Sequence, residues 1–218
     1  MYKAVLDRMY RCVAGVMPVA SRMIKGMKLA RINTILLILI IGINGYIILM
    51  PFAPRATYWW QDHSSHGTRT RLTHQLTQHS TKTIPQDNRL VVPSMQLDQP
   101  IIDGPTMTAL NRGPWRRPNT STPDKGSNTV IAGHRFTYTN PRGTFYFLDK
   151  VKVGDTLGVY WQGKEYLYRV TTTTVVHPDD LAIEAATSQS QLTLYSCTPL
   201  WWPKDRLVVI GILEHVYE

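Results

Sequence analysis

Apolar positions along the chain fall into two regimes. From Ile32 to Met50 the sequence INTILLILIIGINGYIILM runs for nineteen residues without a charge. As a helix rising about 1.5 Å per residue it reaches about 28 Å, close to the hydrocarbon thickness of a bilayer. A buried core helix would carry a polar stripe, and Asn33 and Asn44 are the only strongly polar side chains in the run. A cleaved signal peptide has a shorter apolar stretch ending at small residues, which Met50-Pro51-Phe52-Ala53-Pro54-Arg55 does not supply. The pattern predicts an uncleaved transmembrane anchor over 32–50.

From Arg89 the pattern changes to short apolar or alternating runs between turn residues. Leu90 to Pro93, Met95 to Ile102, Asn128 to Gly133, Thr156 to Trp161, Tyr166 to Val176, Gln191 to Ser196 and Arg206 to Leu213 read as strands. Asp103-Gly104 and Val153-Gly154-Asp155 read as turns, and Gln162-Gly163-Lys164 joins a hairpin rich in Tyr, Val and Thr. Helical candidates are short, near Met107 to Asn111 and Asp180 to Ala186. About eight strands in about 130 residues predict an all-β domain, an eight-stranded closed or nearly closed barrel with short helices, over 89–218.

Between the two regimes, Tyr58, Trp59 and Trp60 fit an aromatic belt at the outer membrane interface. Gln61 to Asn88 is rich in Thr, Ser, His and Gln and reads as an exposed tether. His63, His66, His74 and His79 lie in this segment without Cys or acidic partners at ligand spacing, so a solvated linker is favoured over a metal site.

Charge adds orientation. Lys3, Arg8, Arg11, Arg22, Lys25, Lys28 and Arg31 precede the apolar run against the single acid Asp7. Lys and Arg near a span's end stay in the cytoplasm, which puts the N-terminus inside and everything after the anchor outside. The leader carries +6 of the formal +9, leaving +3 for the rest, so the basicity sets topology and implies no nucleic-acid partner. The expected organisation is a cytoplasmic leader 1–31, an anchor 32–50, an extracytoplasmic linker 51–88 and the barrel 89–218.

Topology also separates the only two cysteines. Cys12 falls in the leader and Cys197 beyond the membrane, so they cannot pair, and an unpaired thiol in an oxidising compartment is a candidate reactive group. His134 follows one predicted strand and Arg206 begins another. A thiol with an imidazole makes a nucleophile and a general acid or base, and an arginine stabilises a developing oxyanion. Cys197 and Arg206 flank one loop, whereas spacing alone does not bring His134 to them. Taken singly, each has an ordinary reading: a small buried hydrophobe, a structural histidine and a solvated strand edge.

Thr193-Leu194-Tyr195-Ser196-Cys197 with Arg206-Leu207-Val208-Val209, and Asn128-Thr129-Val130-Ile131-Ala132-Gly133-His134-Arg135, resemble the sortase family of membrane-anchored cysteine transpeptidases. The family's TLxTC signature is matched by Thr193, Leu194 and Cys197, with Ser196 in place of the second Thr. The likeness extends from about Leu90 to Leu213, through Leu90 to Gly104, Phe147 to Asp155 and Val175 to Asp180. It departs at Gly113-Pro114-Trp115-Arg116-Arg117-Pro118, where many members carry a G-H-Y-P-like sequence.

The resemblance implies an eight-stranded sortase-like barrel. It implies that Cys197 attacks an LPxTG-like sorting signal to form a thioacyl-enzyme, that His134 exchanges protons and that Arg206 steadies the oxyanion. Thr193 and Ser196 become candidate substrate-positioning residues. The implied partners are secreted proteins with C-terminal sorting signals, the membrane, and an amine acceptor such as a lipid-linked cell-wall precursor or a pilin lysine. No cofactor is implied; some relatives bind Ca²⁺, for which Asp179, Asp180 and Glu184 are the candidates, with a solvated loop favoured. A single N-terminal span and the lack of a D-P-W or D-P-F sequence before the barrel favour a housekeeping-type enzyme. A thiol hydrolase on the same barrel and a non-catalytic binding barrel are the alternatives.

Overall fold

The computed structural model describes residues 29–63, 67–77, 84–139, 145–200 and 202–218. Most of the basic leader with Cys12, together with His66, His79 and Trp201, lies outside the described residues. The chain divides into two compact units, Met1–Met50 and Pro51–Glu218. In the first, residues 29–49 form helix α1. The helical run Leu29–Trp60 is long and apolar enough to cross a membrane, the only such run among the described residues. It starts slightly before the expected span and continues beyond it.

The second unit opens with α2 (Ala53–His63) and α3 (Thr68–Thr77). Here the expected tether gives way to packed structure. Leu72 and Leu76 are buried against Val91, Tyr160 and Leu167. Two leucines in a polar decapeptide are too few to move its composition away from that of a linker, yet four residues apart they form a stripe one turn long on one helix face. The sheet is shaped to receive them: a Cβ at Gly158 would overlap the Leu76 side chain. Tyr58 also departs from the expected interfacial belt, since its hydroxyl donates to the Ser94 carbonyl at 3.0 Å and its ring centroid lies 4.3 Å from that of Phe147. Trp59 and Trp60 remain exposed.

Eight strands follow: β1 (Arg89–Val92), β2 (Leu97–Pro100), β3 (Trp115–Arg116), β4 (Asn128–Ala132), β5 (Thr156–Trp161), β6 (Lys164–Val176), β7 (Gln191–Thr198) and β8 (Asp205–Tyr217). They form one curled sheet in the order β2-β1-β5-β6-β8-β7-β4-β3. This is the expected eight-stranded architecture, realised as a half-barrel. Just past the end of β2, an isolated bridge joins Ile102 to Trp115 of β3, in which the Ile102 amide donates to the Pro114 carbonyl at 2.7 Å and its carbonyl accepts from the Arg116 amide at 3.1 Å.

Local sequence explains the turns. Gln162 and Gly163 both take positive φ, 50° and 77°, the backbone that a two-residue hairpin between right-twisted strands needs. The expected strand from Met95 to Ile102 is shorter because Pro93–Met95 forms a 3-10 turn and Gln96 closes it in the left-handed region. β3, two residues long, gives no periodic signal at all. Alternate residues fill the inside of the curl, among them Leu90, Leu157, Val159, Tyr168, Leu192 and Val209.

Candidate active site

Strands β4 and β7 run parallel, in a register that pairs Ile131 with Leu194 and Ala132 with Tyr195; all other strand pairs among the described residues are antiparallel. The parallel ladder continues one step, with the Gly133 amide donating to the Tyr195 carbonyl at 3.1 Å. His134 and Cys197 each come two residues after the Ala132–Tyr195 pair. Equal counts along parallel strands bring both residues to the same end of the β4–β7 pair. On the other side of β7, Cys197 is the register partner of Arg206 on β8. The order β8-β7-β4 thus puts Arg206, Cys197 and the segment that leads from β4 to His134 at one end of three neighbouring strands. His134, Cys197 and Arg206 are half-buried, within reach of solvent and of a peptide.

Alternation fixes the face. Leu192 and Leu194 point into the curl, so Thr193, Tyr195 and Cys197 lie on the opposite face. Beneath that face Ala109, Trp115 and Ala132 form a small buried cluster, with Tyr195 and Leu110 packed against it. At Gly133 a side chain would collide with the Phe145 ring, its Cβ 2.5 Å from the nearest ring atom, so the strand leading to His134 stays close to its neighbour only because this residue is glycine.

His134 Nε2 lies 3.0 Å from Asn111 Oδ1, a residue that sequence spacing does not nominate. Burial lowers the proton affinity of His134 below the ordinary 6.5. A second group also escapes sequence reading. Glu184 Oε1 accepts from Arg117 Nε at 2.8 Å and from the Tyr195 hydroxyl at 2.7 Å, and Arg117 lies over the Trp115 ring at 4.6 Å. Burial, with the hydrogen bond to Glu184 second, holds the Tyr195 phenol firmly protonated, which keeps it a donor. Two of these residues, Trp115 and Arg117, fall in the segment where the family likeness lapses, and Glu184 carries an ambiguous sequence signal.

Thr193 and Ser196 are placed differently from the triad. Thr193 is fully buried, and its hydroxyl donates to Asn128 Oδ1 at 2.8 Å. Asn128 Nδ2 in turn donates to the carbonyls of Ile183 and Ala185, both at 3.0 Å. Any positioning by Thr193 therefore runs through Asn128 to the loop around 181–185. Ser196 faces the curl, is buried, and its hydroxyl has no partner among the described residues; it reaches the site only through the backbone of Cys197. Trp202 is 81% exposed.

The acids considered for Ca²⁺ are engaged elsewhere. Asp179 lies 3.3 Å from His177 Nδ1, Asp180 caps the 3-10 turn Leu181–Glu184 by accepting from the Ala182 amide, and Glu184 serves Arg117 and Tyr195. Among the described residues no group of three or more His, Cys, Asp or Glu is arranged to hold a metal ion.

Glu184 and Thr193 fasten the same loop from two sides. Glu184→Ala leaves Arg117 and Tyr195 without their shared acceptor, and a half-buried group stranded in this way costs about 1–3 kcal/mol. Lower thermal stability and faster amide exchange at 181–185 than in β6 are expected, read by calorimetry and hydrogen-exchange mass spectrometry.

Comparisons with known proteins agree with this geometry. Residues 90–214 match the sortase domain model. Sortase A of Bacillus anthracis is 28% identical over 126 residues, 57% of this chain and 58% of that protein. Sortase SrtE1 of Streptomyces coelicolor is 31% identical over 102 residues, 42% of this chain and 28% of that protein. The chain thus spans little more than half the length of the first relative and under a third of the second. Among solved structures, a lid mutant of Streptococcus agalactiae sortase C1 superposes with a TM-score of 0.55 at 25% identity, over 68% of this chain and 83% of that one. Listeria monocytogenes sortase A, at 22% identity, shares the fold with a TM-score of 0.54 over 62% and 90%. With the domain model covering more than half of its length and the curled sheet shared with solved members, the chain belongs to the sortase family, a family of cysteine transpeptidases.

Proposed function

We propose that this chain is a membrane-tethered transpeptidase that cleaves an LPxTG-like sorting signal and passes the acyl group to an amine, with Cys197, His134 and Arg206 as its reacting groups. The parallel β4–β7 register is the observation that supports this reading, because the chain reaches His134 two residues past Ala132 as β7 reaches Cys197 two residues past its partner Tyr195, with Arg206 of β8 paired to Cys197.

The chemistry follows from those positions. Neutral His134 takes the Cys197 thiol proton and becomes the imidazolium, and the thiolate attacks the carbonyl carbon before the scissile bond, forming a C–S bond and an oxyanion that Arg206 neutralises. As the oxyanion collapses, the C–N bond breaks and the His134 imidazolium gives its proton to the departing amine. An incoming amine then attacks the thioester, neutral His134 takes that amine's proton, and the sulfur leaves as thiolate, which takes the proton back from His134 to restore the thiol. The acceptor is a lipid-linked cell-wall precursor or a pilin lysine.

Tethering supports the scheme. With the leader in the cytoplasm and the catalytic unit outside, the enzyme, an emerging substrate protein and a lipid-linked acceptor share one surface, which raises their effective concentration.

The test uses the full chain in detergent with a peptide carrying an LPxTG-like motif. Intact-mass spectrometry is expected to show an acyl adduct on Cys197, discharged faster when an amine is added and yielding the amide. Discharge only to water would assign a thiol hydrolase, and no adduct over a panel of sorting motifs would favour a binding barrel.

A further inference from the structure

The partner of His134 carries one step more. Asn111 closes the 3-10 helix Met107–Arg112, and this short helix is firmly seated. Ala109 is buried in the cluster with Trp115 and Ala132. The helix also lies so close to the chain at Gly104 that a Cβ there would fall 2.8 Å from that of Ala109. Trp115 Nε1 ties the same Gly104 carbonyl at 2.9 Å, and Arg112 reaches the Asp103 carbonyl at 3.4 Å. Asn111 is therefore presented from a fixed support on the apolar floor beneath Ala132 and Tyr195, at 3.0 Å from His134 Nε2.

A neutral imidazole carries one proton, and which nitrogen holds it is set by the hydrogen bond made at the other side of the ring. An amide oxygen only accepts, so Asn111 Oδ1 requires the proton on Nε2 and leaves Nδ1 with the lone pair. We propose that Asn111 is a positioning residue that locks His134 in the Nε2–H tautomer, so that Nδ1 is the nitrogen that exchanges the proton with the leaving and attacking amines. The role matches that of the third group in Cys-His-Asn sites on unrelated folds, where the base is oriented by a neighbour that does not itself titrate. An amide suits this place because it orients the ring without adding charge, and His134 keeps the lowered proton affinity that burial gives it. The charged groups on the elements around the ring are Arg112 at the end of the 3-10 helix, Arg206 on β8, Arg117 paired with Glu184, and Arg135 paired with Asp149 at 2.8 Å. None of them is an acceptor aimed at Nε2.

This inference rests on the proposed function for its kinetic consequence but not for its structural one, and the experiment separates the two. The full chain, labelled with ¹⁵N-histidine and held in detergent micelles, gives ring-nitrogen shifts in which His134 is assigned by its loss in His134→Gln. The native protein is expected to show Nε2 protonated and Nδ1 bare. Asn111→Ala should give a mixture of tautomers and lower transfer about 10- to 100-fold, a part of the 10²–10⁴ that general acid–base catalysis contributes. Asn111→Asp should retain the tautomer and raise the pH at which His134 titrates, since a carboxylate favours the imidazolium.

An unchanged tautomer in Asn111→Ala, a native Nδ1–H form, or an Asn111→Asp titration that stays at the native pH would overturn the inference, including where the only effect of Asn111→Ala is a lower melting temperature. If the tautomer shifts as expected while no peptide is ever transferred, the positioning stands and the proposed function alone fails.

Discussion

Cys197→Ala is expected to lower both cleavage and amine transfer by at least about 10³-fold, equivalent to more than about 4 kcal/mol of transition-state stabilisation. The size follows from what is removed. Without sulfur there is no thioacyl intermediate, and the single covalent route splits into a direct aminolysis for which the site holds no activated nucleophile. His134→Ala is expected to cost a similar amount, and the double variant little more than either single one, because groups that act on the same step do not contribute additively. Arg206→Ala should lose about 10²–10³-fold, the usual worth of one oxyanion donor. Arg206→Lys should recover only part of this, since a lysine lacks the planar two-pronged donor set. Single-turnover acylation of a sorting peptide, with circular dichroism to verify that each variant is folded, measures the series. Turnover unchanged in Cys197→Ala would end the reading of Cys197 as the nucleophile, and an additive double variant would mean that His134 acts outside the Cys197 step.

How far this site could be read in advance depends on which contacts are local. The Cys197–Arg206 pair was accessible to spacing because one loop joins the strands that carry them, and in an antiparallel pair such residues face each other. His134 was not. It enters through a parallel pairing between strands separated by about sixty residues of chain, including β5 and β6, and no periodicity encodes which strand lies beside which. Only the family likeness joined it to the others in advance. Asn111 and the Arg117–Glu184–Tyr195 group were hidden for a related reason. Each is a side-chain contact between a short 3-10 turn or loop and a strand, and neither the turn nor the two-residue β3 has a period to detect.

The strands themselves were legible wherever alternation ran for five residues or more, as in β5, β6 and β8. Composition misled in one place, the segment after the apolar helix. A count of residue types registers α3 as polar linker, whereas the fold uses its two leucines as a plug for a depression in the sheet. Thr193 is a milder instance. It belongs to the strand segment that leads to Cys197, yet its hydroxyl is spent on Asn128, so its placement speaks to loop architecture rather than to contact with a peptide.

That plug makes the second large expectation. Leu72→Ala or Leu76→Ala should destabilise the catalytic unit by about 2–5 kcal/mol, the range for truncating a leucine in a close-packed site. Both side chains are fully or almost fully buried, and Leu76 lies in the space left by Gly158. The same contact read from the sheet side gives a control: Gly158→Ala inserts a methyl group where Leu76 already sits, so it should displace α3 and destabilise by overpacking, about 1–3 kcal/mol. Combining Gly158→Ala with Leu76→Ala should then cost less than the sum of the two, because the added methyl partly occupies the vacated volume. An exposed tether would give values within about 0.5 kcal/mol for every one of these changes, as surface substitutions do. Denaturant unfolding of the four proteins therefore decides whether α3 belongs to the folded unit. It also decides whether activity loss in α3 variants is to be read as unfolding or as chemistry, because α3 covers the outer face of β1, β5 and β6, while Cys197 and its partners are carried by β4, β7 and β8.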